Sequence, residues 1–433
     1  MTPASKCATE LGESTGSNEK TDVIIIGAGV IGLACAHYLL AAGRSVRVLE
    51  QTAVGAGSSH GNCGTITPSH APPLAAPGVI AQALRGMWRA DSPLYIRSRF
   101  DPTLFAWLWR FSQRCNRRDW LASAQARASL LNVSRQLLVD LIRDFDLQCE
   151  FVESGLVYAF REAKTARRVA TESEDLQRLG IGVEQWSAER LIVEEPALKP
   201  GLAGGMFFPG DACLRPDQYV AELARLVLSG GGVIHSGSGV RQIAADQRGA
   251  ETRLDDGQAY RADHLVVATG AWTPQLLAPL GLSVPIQPGK GYSITYSKPA
   301  LVPRRPLVLK EPAVCVTTWG SGFRLGSTME FSGFDSRLNR TRLDALRRGA
   351  CTFLHHPEGP ERQEEWFGWR PMTWDDLPLI GAAPGYPRLF LACGHGMLGV
   401  SMSAATGQLL ADLVCERSPG LDPQPYSPLR FAR

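Results

Sequence analysis

The sequence lacks the features that mark several common classes of protein. Its 45 Lys and Arg residues barely exceed its 42 Asp and Glu residues, so the net charge is too small to suggest binding to nucleic acid. The ten cysteines form no CxxC pair and no metal-ligand spacing, so we predict no metal site and expect reduced thiols in the cytoplasm. The first 20 residues have no apolar core, and we interpret residues 1–20 as a disordered leader.

The length and the glycine content are informative. A chain of 433 residues is longer than one hydrophobic core usually supports, so two domains are expected. The 44 glycines are above the average share of about 7%, which indicates tight turns or backbone close to a ligand. The apolar stretch 23–43 contains Gly27, Gly29, Gly32 and His37, so a buried strand followed by a helix fits it better than a membrane span.

Residues 22–50 predict a complete βαβ unit. Residues 22–26 are a β-branched run typical of a buried parallel strand. Residues 33–42 are good helix formers that stop at Gly43. Residues 45–50 indicate a second strand, which ends in an acid.

The turn between the first strand and the helix reads Gly27-Ala28-Gly29-Val30-Ile31-Gly32. In a dinucleotide site the first glycine permits the turn, the second lets the backbone reach a pyrophosphate, and the third lets helix and strand pack closely. The helix N-terminus attracts the phosphates, and Glu50 can accept hydrogen bonds from an adenosine ribose. A glycine-rich turn without a ligand is the alternative, but the complete unit predicts dinucleotide binding.

Three further segments favour FAD over NAD. Residues 55–64 are small and leave the backbone open to a large flavin, where an NAD domain would continue into a helix. Residues 263–269 predict a strand that returns beneath the cofactor, and Val240 packs either by the adenine or in the core. A strand at 388–392 leads into residues 394–399 and a helix, whose N-terminus can face the flavin pyrimidine ring.

These segments together give the chain a family resemblance. Beside the GAGVIG turn, the specific motifs are NCGTITPSHAPPLAAPGV from residue 62, GKGYSIT from 289, GWRPMTWDDLPLIG from 368 and GHGMLGVSMSAATGQLLADL from 394. From about residue 22 to its end, the chain resembles the D-amino acid dehydrogenase branch of the FAD-dependent amino-acid oxidoreductases. Glycine oxidase and sarcosine oxidase are relatives of that branch.

The resemblance implies an α/β fold of the glycine oxidase and D-amino acid oxidase type. A Rossmann-like FAD-binding domain would be built from the non-contiguous segments 21–80, 204–284 and 370–433. An α+β substrate domain with a mixed sheet would comprise residues 81–203 and 285–369.

The resemblance also implies a reaction. A D-amino or imino acid would pass a hydride from Cα to flavin N5, and the resulting imino acid would hydrolyse to a 2-oxo acid and ammonia. A quinone or another acceptor would then take the electrons. Cys63 and Cys393 do not match the position of the covalent linkage in sarcosine oxidase relatives, so non-covalent FAD is expected.

One departure from the family pattern leaves the substrate open. Where D-amino acid dehydrogenases typically read NAGQISP and then a tyrosine, residues 62–68 read NCGTITP and are followed by Ser69 and His70. A cis-4-hydroxy-D-proline dehydrogenase, which would release a pyrroline carboxylate, is therefore an alternative. A glycine- or sarcosine-type oxidase and a non-catalytic flavoprotein subunit of a complex are the others.

Three residues are the candidates for the chemistry. By the resemblance, Arg370 corresponds to the arginine that anchors the substrate carboxylate in glycine oxidase. Its planar guanidinium can donate two parallel hydrogen bonds to a carboxylate. Tyr292 either bonds the substrate carboxylate or caps a core position. His70 contacts a substrate hydroxyl or ring, accepts a proton, or simply caps its loop.

The cofactor-binding prediction covers a larger set. Its members are Gly27, Ala28, Gly29, Val30, Ile31, Gly32, Glu50, Gln51, Ser58, Ser59, Asn62, Cys63, Gly64, Val240, Thr269, Gly270, Trp272, Gly394, His395, Gly396, Met397, Leu398 and Gly399. A separate aromatic and basic stretch, residues 107–118, contains Trp107, Trp109 and Phe111. It predicts either a packed helix or peripheral contact with the inner face of the cytoplasmic membrane.

Overall fold

A computed structural model describes residues 21–81, 94–97 and 99–431. The predicted leader, residues 1–20, lies outside these ranges. The helices are α1 (Val30–Ala41), α2 (Pro102–Arg114), α3 (Arg117–Asp144), α4 (Ala163–Arg178), α5 (Ala188–Glu194), α6 (Pro216–Ser229), α7 (Thr273–Leu277), α8 (Arg340–Cys351) and α9 (Gly399–Val414).

Two large sheets and one short pair contain the strands. These are β1 (Thr21–Ile26), β2 (Val46–Glu50), β3 (Thr65–Ile66), β4 (Leu94–Ile96), β5 (Leu156–Phe160), β6 (Glu184–Trp186), β7 (Gly204–Phe208), β8 (Ala212–Cys213), β9 (Val233–Ser236), β10 (Val240–Ala245), β11 (Ala250–Leu254), β12 (Ala259–Val267), β13 (Gln287–Tyr296), β14 (Leu307–Leu309), β15 (Val314–Trp319), β16 (Gly322–Phe331), β17 (Arg362–Met372), β18 (Leu379–Ala383) and β19 (Tyr386–Cys393).

The first sheet has a parallel centre in the order β19-β12-β1-β2-β9. Its central strand β1 is apolar on both faces: Val23 and Ile25 pack in the core that includes α1 and α9, whereas Ile24 and Ile26 pack on the opposite side. The antiparallel strands β10, β11 and β18 extend the sheet. Gly43 follows α1 with φ +81°, a conformation that favours glycine and ends the helix as predicted.

The second sheet is mixed and follows the order β17-β13-β16-β15-β14-β5-β7-β6. Most neighbours are antiparallel, but β14 runs parallel to β5, and β4 runs parallel to β16. Helix α8 covers one face, where Leu343 and Leu346 share a core with Ile294 and Leu325. The predicted α/β class with a second, mixed sheet is confirmed.

The sheet membership refines two of the predicted segment limits. The segment 204–284 begins with β7, but β7 pairs with β5 and β6 in the second sheet. Strand β17 continues in register with β13 across residue 370, the start of another predicted segment. A division by sheet would therefore begin these segments after Phe208 and after Met372. The division into two domains stays a prediction.

The aromatic stretch of α2 is partly core. The Trp107 side chain is buried, stacks on Phe111 and donates from its indole nitrogen to the Pro285 carbonyl at 3.0 Å. Trp109 is 66% exposed, and Arg117 forms a two-pronged ion pair with Asp175. The packed-helix interpretation therefore fits Trp107 and Phe111, whereas Trp109 and Phe105, which is 56% exposed, present aromatic faces to solvent. In the part of the chain described, no helix is both long and apolar enough to span a membrane.

Candidate active site

A cavity of about 780 Å³ is lined by residues from both large sheets. Its volume lies within the range of roughly 300–1,000 Å³ that is usual for ligand sites. The glycine turn before α1, the ends of β2 and β19, and the strands β13, β16 and β17 all contribute to its wall. Segments that are far apart in the sequence therefore meet at one place.

The glycine turn presents backbone to the cavity. Gly29 lines it, and a Cβ built on Gly29 would meet only the Ser59 Oγ, at 3.5 Å. The same Ser59 Oγ accepts a hydrogen bond from the Val30 amide, the first residue of α1, at 3.1 Å. Glu50 also lines the cavity while its carboxylate accepts from the Ala28 amide at 2.9 Å. Glu50 therefore holds the turn in shape from the end of β2.

Most of the predicted cofactor-binding residues line this cavity. They are Gly27, Gly29, Val30, Ile31, Glu50, Gln51, Ser58, Ser59, Asn62, Cys63, Val240, Thr269, Gly270, Trp272, His395, Gly396, Met397, Leu398 and Gly399. The remaining four, Ala28, Gly32, Gly64 and Gly394, do not.

Those four residues lie outside the lining of the cavity, and their role as direct cofactor contacts stays a prediction. Ala28 is fully buried. A Cβ at Gly32 would lie 1.9 Å from the Gly27 carbonyl oxygen, and a Cβ at Gly64 would lie 1.9 Å from the Leu214 carbonyl oxygen. Gly394 is packed against Thr373 and Leu379. Close packing against backbone at Gly32 and Gly64, and against side chains at Gly394, leaves no room for a Cβ at these glycines.

The segment before α9 closes another part of the wall. His395 lines the cavity, and its Nε2 lies 3.0 Å from the Thr406 Oγ1 on α9. Burial lowers the pKa of His395 to about 3, so this ring is neutral at physiological pH. His395 is therefore a structural residue of the wall, as its position between glycines indicates.

Arg370 lines the cavity from β17, and the backbone shapes its position. Its Nη1 donates to the Thr328 carbonyl at 2.5 Å. Thr328 and Ser327 have φ values of +63° and +113°, which are strained for residues with side chains. A Cβ at Gly291 would lie 2.3 Å from the Arg370 Cζ, so glycine at 291 leaves space for the guanidinium.

In the part of the chain that the structure describes, no acid neutralises the charge of Arg370. No carboxylate forms an ion pair with Arg370 among residues 21–81, 94–97 and 99–431. Burial lowers the pKa of Arg370, and the nearby Cys63 and Cys315 act in the opposite direction. A guanidinium still remains protonated, so the wall presents a positive charge that suits an anionic ligand.

Tyr292 also lines the cavity, but its hydroxyl is already engaged. The Tyr292 Oη donates to the Glu330 Oε2 at 2.9 Å, and Glu330 also accepts from Asn339. A tyrosine has one O–H proton, so Tyr292 does not donate to a substrate carboxylate in this arrangement. Of its two predicted roles, the structure favours the structural one.

His70 reaches the cavity from a loop that is fixed on both sides. The Arg127 Nη2 on α3 donates to the His70 carbonyl at 2.9 Å, and Arg127 also pairs with Asp376 at 3.3 Å. The His70 ring packs edge-on against Tyr158. Burial, with Lys310 and Arg127, lowers the pKa of His70 to about 3. A neutral ring can hydrogen-bond to a ligand but does not hold an extra proton at physiological pH.

Asp211, which the sequence did not single out, anchors the same loop. It is 1% exposed and accepts from the Ser69 amide at 3.1 Å and from the Ser69 Oγ at 2.5 Å. Burial raises the pKa of Asp211 to about 7. A buried carboxyl therefore holds the residue that precedes His70.

Substituting Asp211 with asparagine should change how stability depends on pH. Between about pH 4 and pH 7 the folded protein keeps the Asp211 proton that the unfolded chain has released. The free energy of unfolding therefore falls by up to about 1.4 kcal/mol for each unit by which the pH rises. Asp211→Asn removes this loss. The difference in melting temperature, variant minus parent, should therefore increase as the pH rises from 4.5 to 7 and then stay constant. Asp144→Asn, at an exposed position, is the control, and a difference for Asp211→Asn that is flat with pH would contradict the assignment.

Several residues of the wall escaped the sequence analysis. Trp366, Trp369, Cys315 and Ser327 all line the cavity. The one signal for Trp366 in the sequence is the glycine at positions 61 and 368, because Cβ atoms there would lie 2.0 Å and 2.2 Å from its indole. Glycine at both positions leaves space for this large ring.

Comparisons with known proteins agree with this site. The family model described as "FAD dependent oxidoreductase" matches residues 22–413. A D-amino acid dehydrogenase of Methylobacterium sp. (strain 4-46) is 32% identical over 420 residues, which cover 95% of this chain and 99% of the relative. One of Rhizorhabdus wittichii is 34% identical over 409 residues, 92% of this chain and 97% of the relative. The chain therefore belongs to the FAD-dependent oxidoreductase family.

Solved structures share the fold. Glycine oxidase from Geobacillus kaustophilus superimposes with a TM-score of 0.78 at 25% identity, covering 96% of this chain and all of that one. L-Proline dehydrogenase from P. horikoshii gives a TM-score of 0.71 at 17% identity, with 96% of this chain and 98% of that chain covered. The protein is an FAD-dependent amino acid oxidoreductase.

The residues of the cavity fit FAD. The backbone of Gly29 is open toward the cavity, at the N-terminus of α1, where a pyrophosphate is stabilised. Glu50 at the end of β2 is placed as the acid of a dinucleotide site is. The wall also extends to the apolar and aromatic residues near Arg370, which gives a flavin ring an apolar surface.

Proposed function

We propose that this enzyme oxidises D-amino acids at Cα and passes the electrons to a quinone or another acceptor. The observation that carries the proposal is the Arg370 guanidinium, which faces the cavity without a carboxylate partner among the described residues. A substrate carboxylate would supply that partner through two parallel hydrogen bonds. The relatives at 32% and 34% identity, named D-amino acid dehydrogenase, support the D configuration.

The bound FAD supplies the hydride acceptor, and the protein supplies position and surroundings. Arg370 fixes the carboxylate and so limits how Cα can be presented. Trp272 and Trp369, whose rings meet edge-on at 5.5 Å, give the cavity an aromatic wall that excludes water. Because burial lowers the pKa of His70 to about 3, its ring is a poor proton acceptor, so the amine loses its proton to solvent before it reacts. The product imine hydrolyses in water to the 2-oxo acid and ammonia.

FAD is held without a covalent bond in this proposal. Cys393 lines the cavity but is only 1% exposed, and burial raises the pKa of its thiol to about 12, so it is a poor nucleophile. The thiol of Cys63, the other cysteine considered for a covalent bond, interacts with the thiol of Cys315.

A specific observation favours cis-4-hydroxy-D-proline as a second candidate substrate. His70 lines the cavity as a neutral ring, which can exchange a hydrogen bond with a substrate hydroxyl. Such a cyclic substrate would leave as a pyrroline carboxylate. Glycine or sarcosine as substrate is supported by the likeness to glycine oxidase.

The second question about the function is which molecule accepts the electrons. A quinone would place the enzyme at the inner face of the cytoplasmic membrane, and the exposed Trp109 on α2 is the feature that supports such contact. Oxygen as acceptor would release hydrogen peroxide. Peroxide assay during turnover in air, beside turnover with a soluble quinone, separates the two.

Anaerobic bleaching of the flavin by a panel of amines tests the proposal. The panel contains D-alanine, D-arginine, D-proline, cis-4-hydroxy-D-proline, glycine and sarcosine, and the L-enantiomers of the four chiral members are the matched controls. We expect rapid bleaching by D-forms and none by L-forms. Bleaching by the hydroxyproline alone would select the second candidate, and bleaching by glycine or sarcosine alone would select the oxidase. No bleaching at all would contradict the proposal and favour a non-catalytic subunit.

A further inference from the structure

Two cysteines from distant segments meet in the wall of the cavity. Cys63 belongs to the loop after β2, and Cys315 lies on β15; both line the cavity. Neither is needed by the mechanism above.

The register of the second sheet places their sulfurs side by side. Cys315 is the cross-strand partner of Gly326 on β16, and the side chains of such partners point to the same face with Cβ atoms about 4.5–5.5 Å apart. Gly326 has no side chain, and the Cys63 Sγ lies 2.5 Å from where its Cβ would be. The Cys63 sulfur therefore takes the place of a side chain at 326, beside the Cys315 thiol.

Thr317, two residues after Cys315 on the same strand, fixes this arrangement. The Thr317 Oγ1 donates to the Cys63 carbonyl at 2.8 Å and lies 3.9 Å from the Cys315 Sγ. The loop and the strand are thus joined at the point where the two thiols meet.

We propose that Cys63 and Cys315 form an oxidisable dithiol, which a peroxide converts reversibly into a disulfide in the cavity wall. The Cys63 thiolate attacks one peroxide oxygen; the O–O bond breaks and leaves a sulfenic acid and hydroxide. The Cys315 sulfur then attacks the Cys63 sulfur, the S–O bond breaks, and the second oxygen leaves as water. Two thiols and one hydrogen peroxide thus give one disulfide and two waters, and a dithiol reductant reverses the change.

The charges around the pair assign the two roles. Hydrogen bonding with Cys315, and the nearby Arg324 and Arg370, lower the pKa of Cys63. The interaction with Cys63 and burial raise the pKa of Cys315. Cys63 is therefore the thiol that reacts first, and Cys315 is the one that resolves the sulfenic acid. The proposal does not depend on which amine is the substrate.

Peptide mapping of the FAD-loaded enzyme tests this site. The enzyme is treated with hydrogen peroxide, its free thiols are alkylated, and the disulfide-linked peptides are identified by mass spectrometry without reduction. We expect a peptide that joins Cys63 to Cys315 and disappears after dithiothreitol, while the Cys393 peptide stays reduced as an internal control from the same wall. In Cys315→Ser, Cys63 should stop at the sulfenic acid and be trapped by dimedone. In Cys63→Ser, Cys315 should stay reduced.

Other outcomes overturn the assignment. A link from Cys315 to Cys213, which lies close enough to raise the pKa of Cys315, would show that Cys63 is not the partner. Oxidation confined to the exposed Cys351 would show that the pair does not react with peroxide.

Discussion

Replacing Arg370 with alanine is expected to leave FAD bound and to abolish useful turnover. The guanidinium lies on the cavity wall without a carboxylate of the described chain, so the substrate carboxylate is its expected partner. Removing one partner of a buried, hydrogen-bonded charge pair costs about 3–5 kcal/mol, which corresponds to a fall in kcat/KM of roughly 150- to 5,000-fold. Stopped-flow bleaching of the flavin measures the loss directly.

Three other variants make the Arg370 prediction specific. Arg370→Lys keeps the charge but loses the two-pronged geometry, so it should recover only part of the rate. Gly291→Ala should lower the rate with Arg370 intact, because its Cβ would overlap the guanidinium. Arg253→Ala, at an exposed position on β11, is the control. Normal kinetics for Arg370→Ala would rule out the anchor role.

The Gly29→Val variant is expected to fold and to purify without flavin. The backbone at Gly29 has φ −77°, which any residue adopts, and the protein leaves space for a Cβ there. The added side chain would instead occupy the space of the pyrophosphate. Overpacking of a tight site costs about 1–3 kcal/mol or more, so FAD should bind at least about 10- to 100-fold more weakly. Flavin absorbance per polypeptide and titration with FAD give the result.

A second glycine of the same turn should behave differently. Gly32→Ala places a Cβ 1.9 Å from the Gly27 carbonyl oxygen, so it should lower the melting temperature of the protein itself. Gly210→Val adds a side chain with nothing within 4 Å and is the control. A Gly29→Val protein with a complete flavin spectrum would contradict the role of the turn.

The parts of the site that the sequence predicted are those with a local signal. The strand, the glycine turn and α1 obey short-range rules: β-branched residues in β1, and a positive φ that selects glycine at position 43. The class of fold and the cofactor followed from these and from the motifs that carry the resemblance.

The rest depends on contacts between distant residues. Nothing near Cys63 in the sequence indicates that Cys315 will lie beside it, since the pairing of β15 with β16 brings them together. The sequence left two roles open for Tyr292, because its hydrogen bond to Glu330 joins two strands, β13 and β16, that are far apart in the chain. Asp211 was missed because a lone acid before a short strand has no pattern.

The packing of α1 against α9 also determines the order in which the site can form during synthesis. Gly407 on α9 lies so close to the Ala34 carbonyl oxygen on α1 that a Cβ would be 2.7 Å from it. The glycine turn is synthesised long before β19 and α9, which complete the wall. The wall of the cavity is therefore incomplete until α9 has been synthesised, and the apolar α1 lacks this packing partner up to that point.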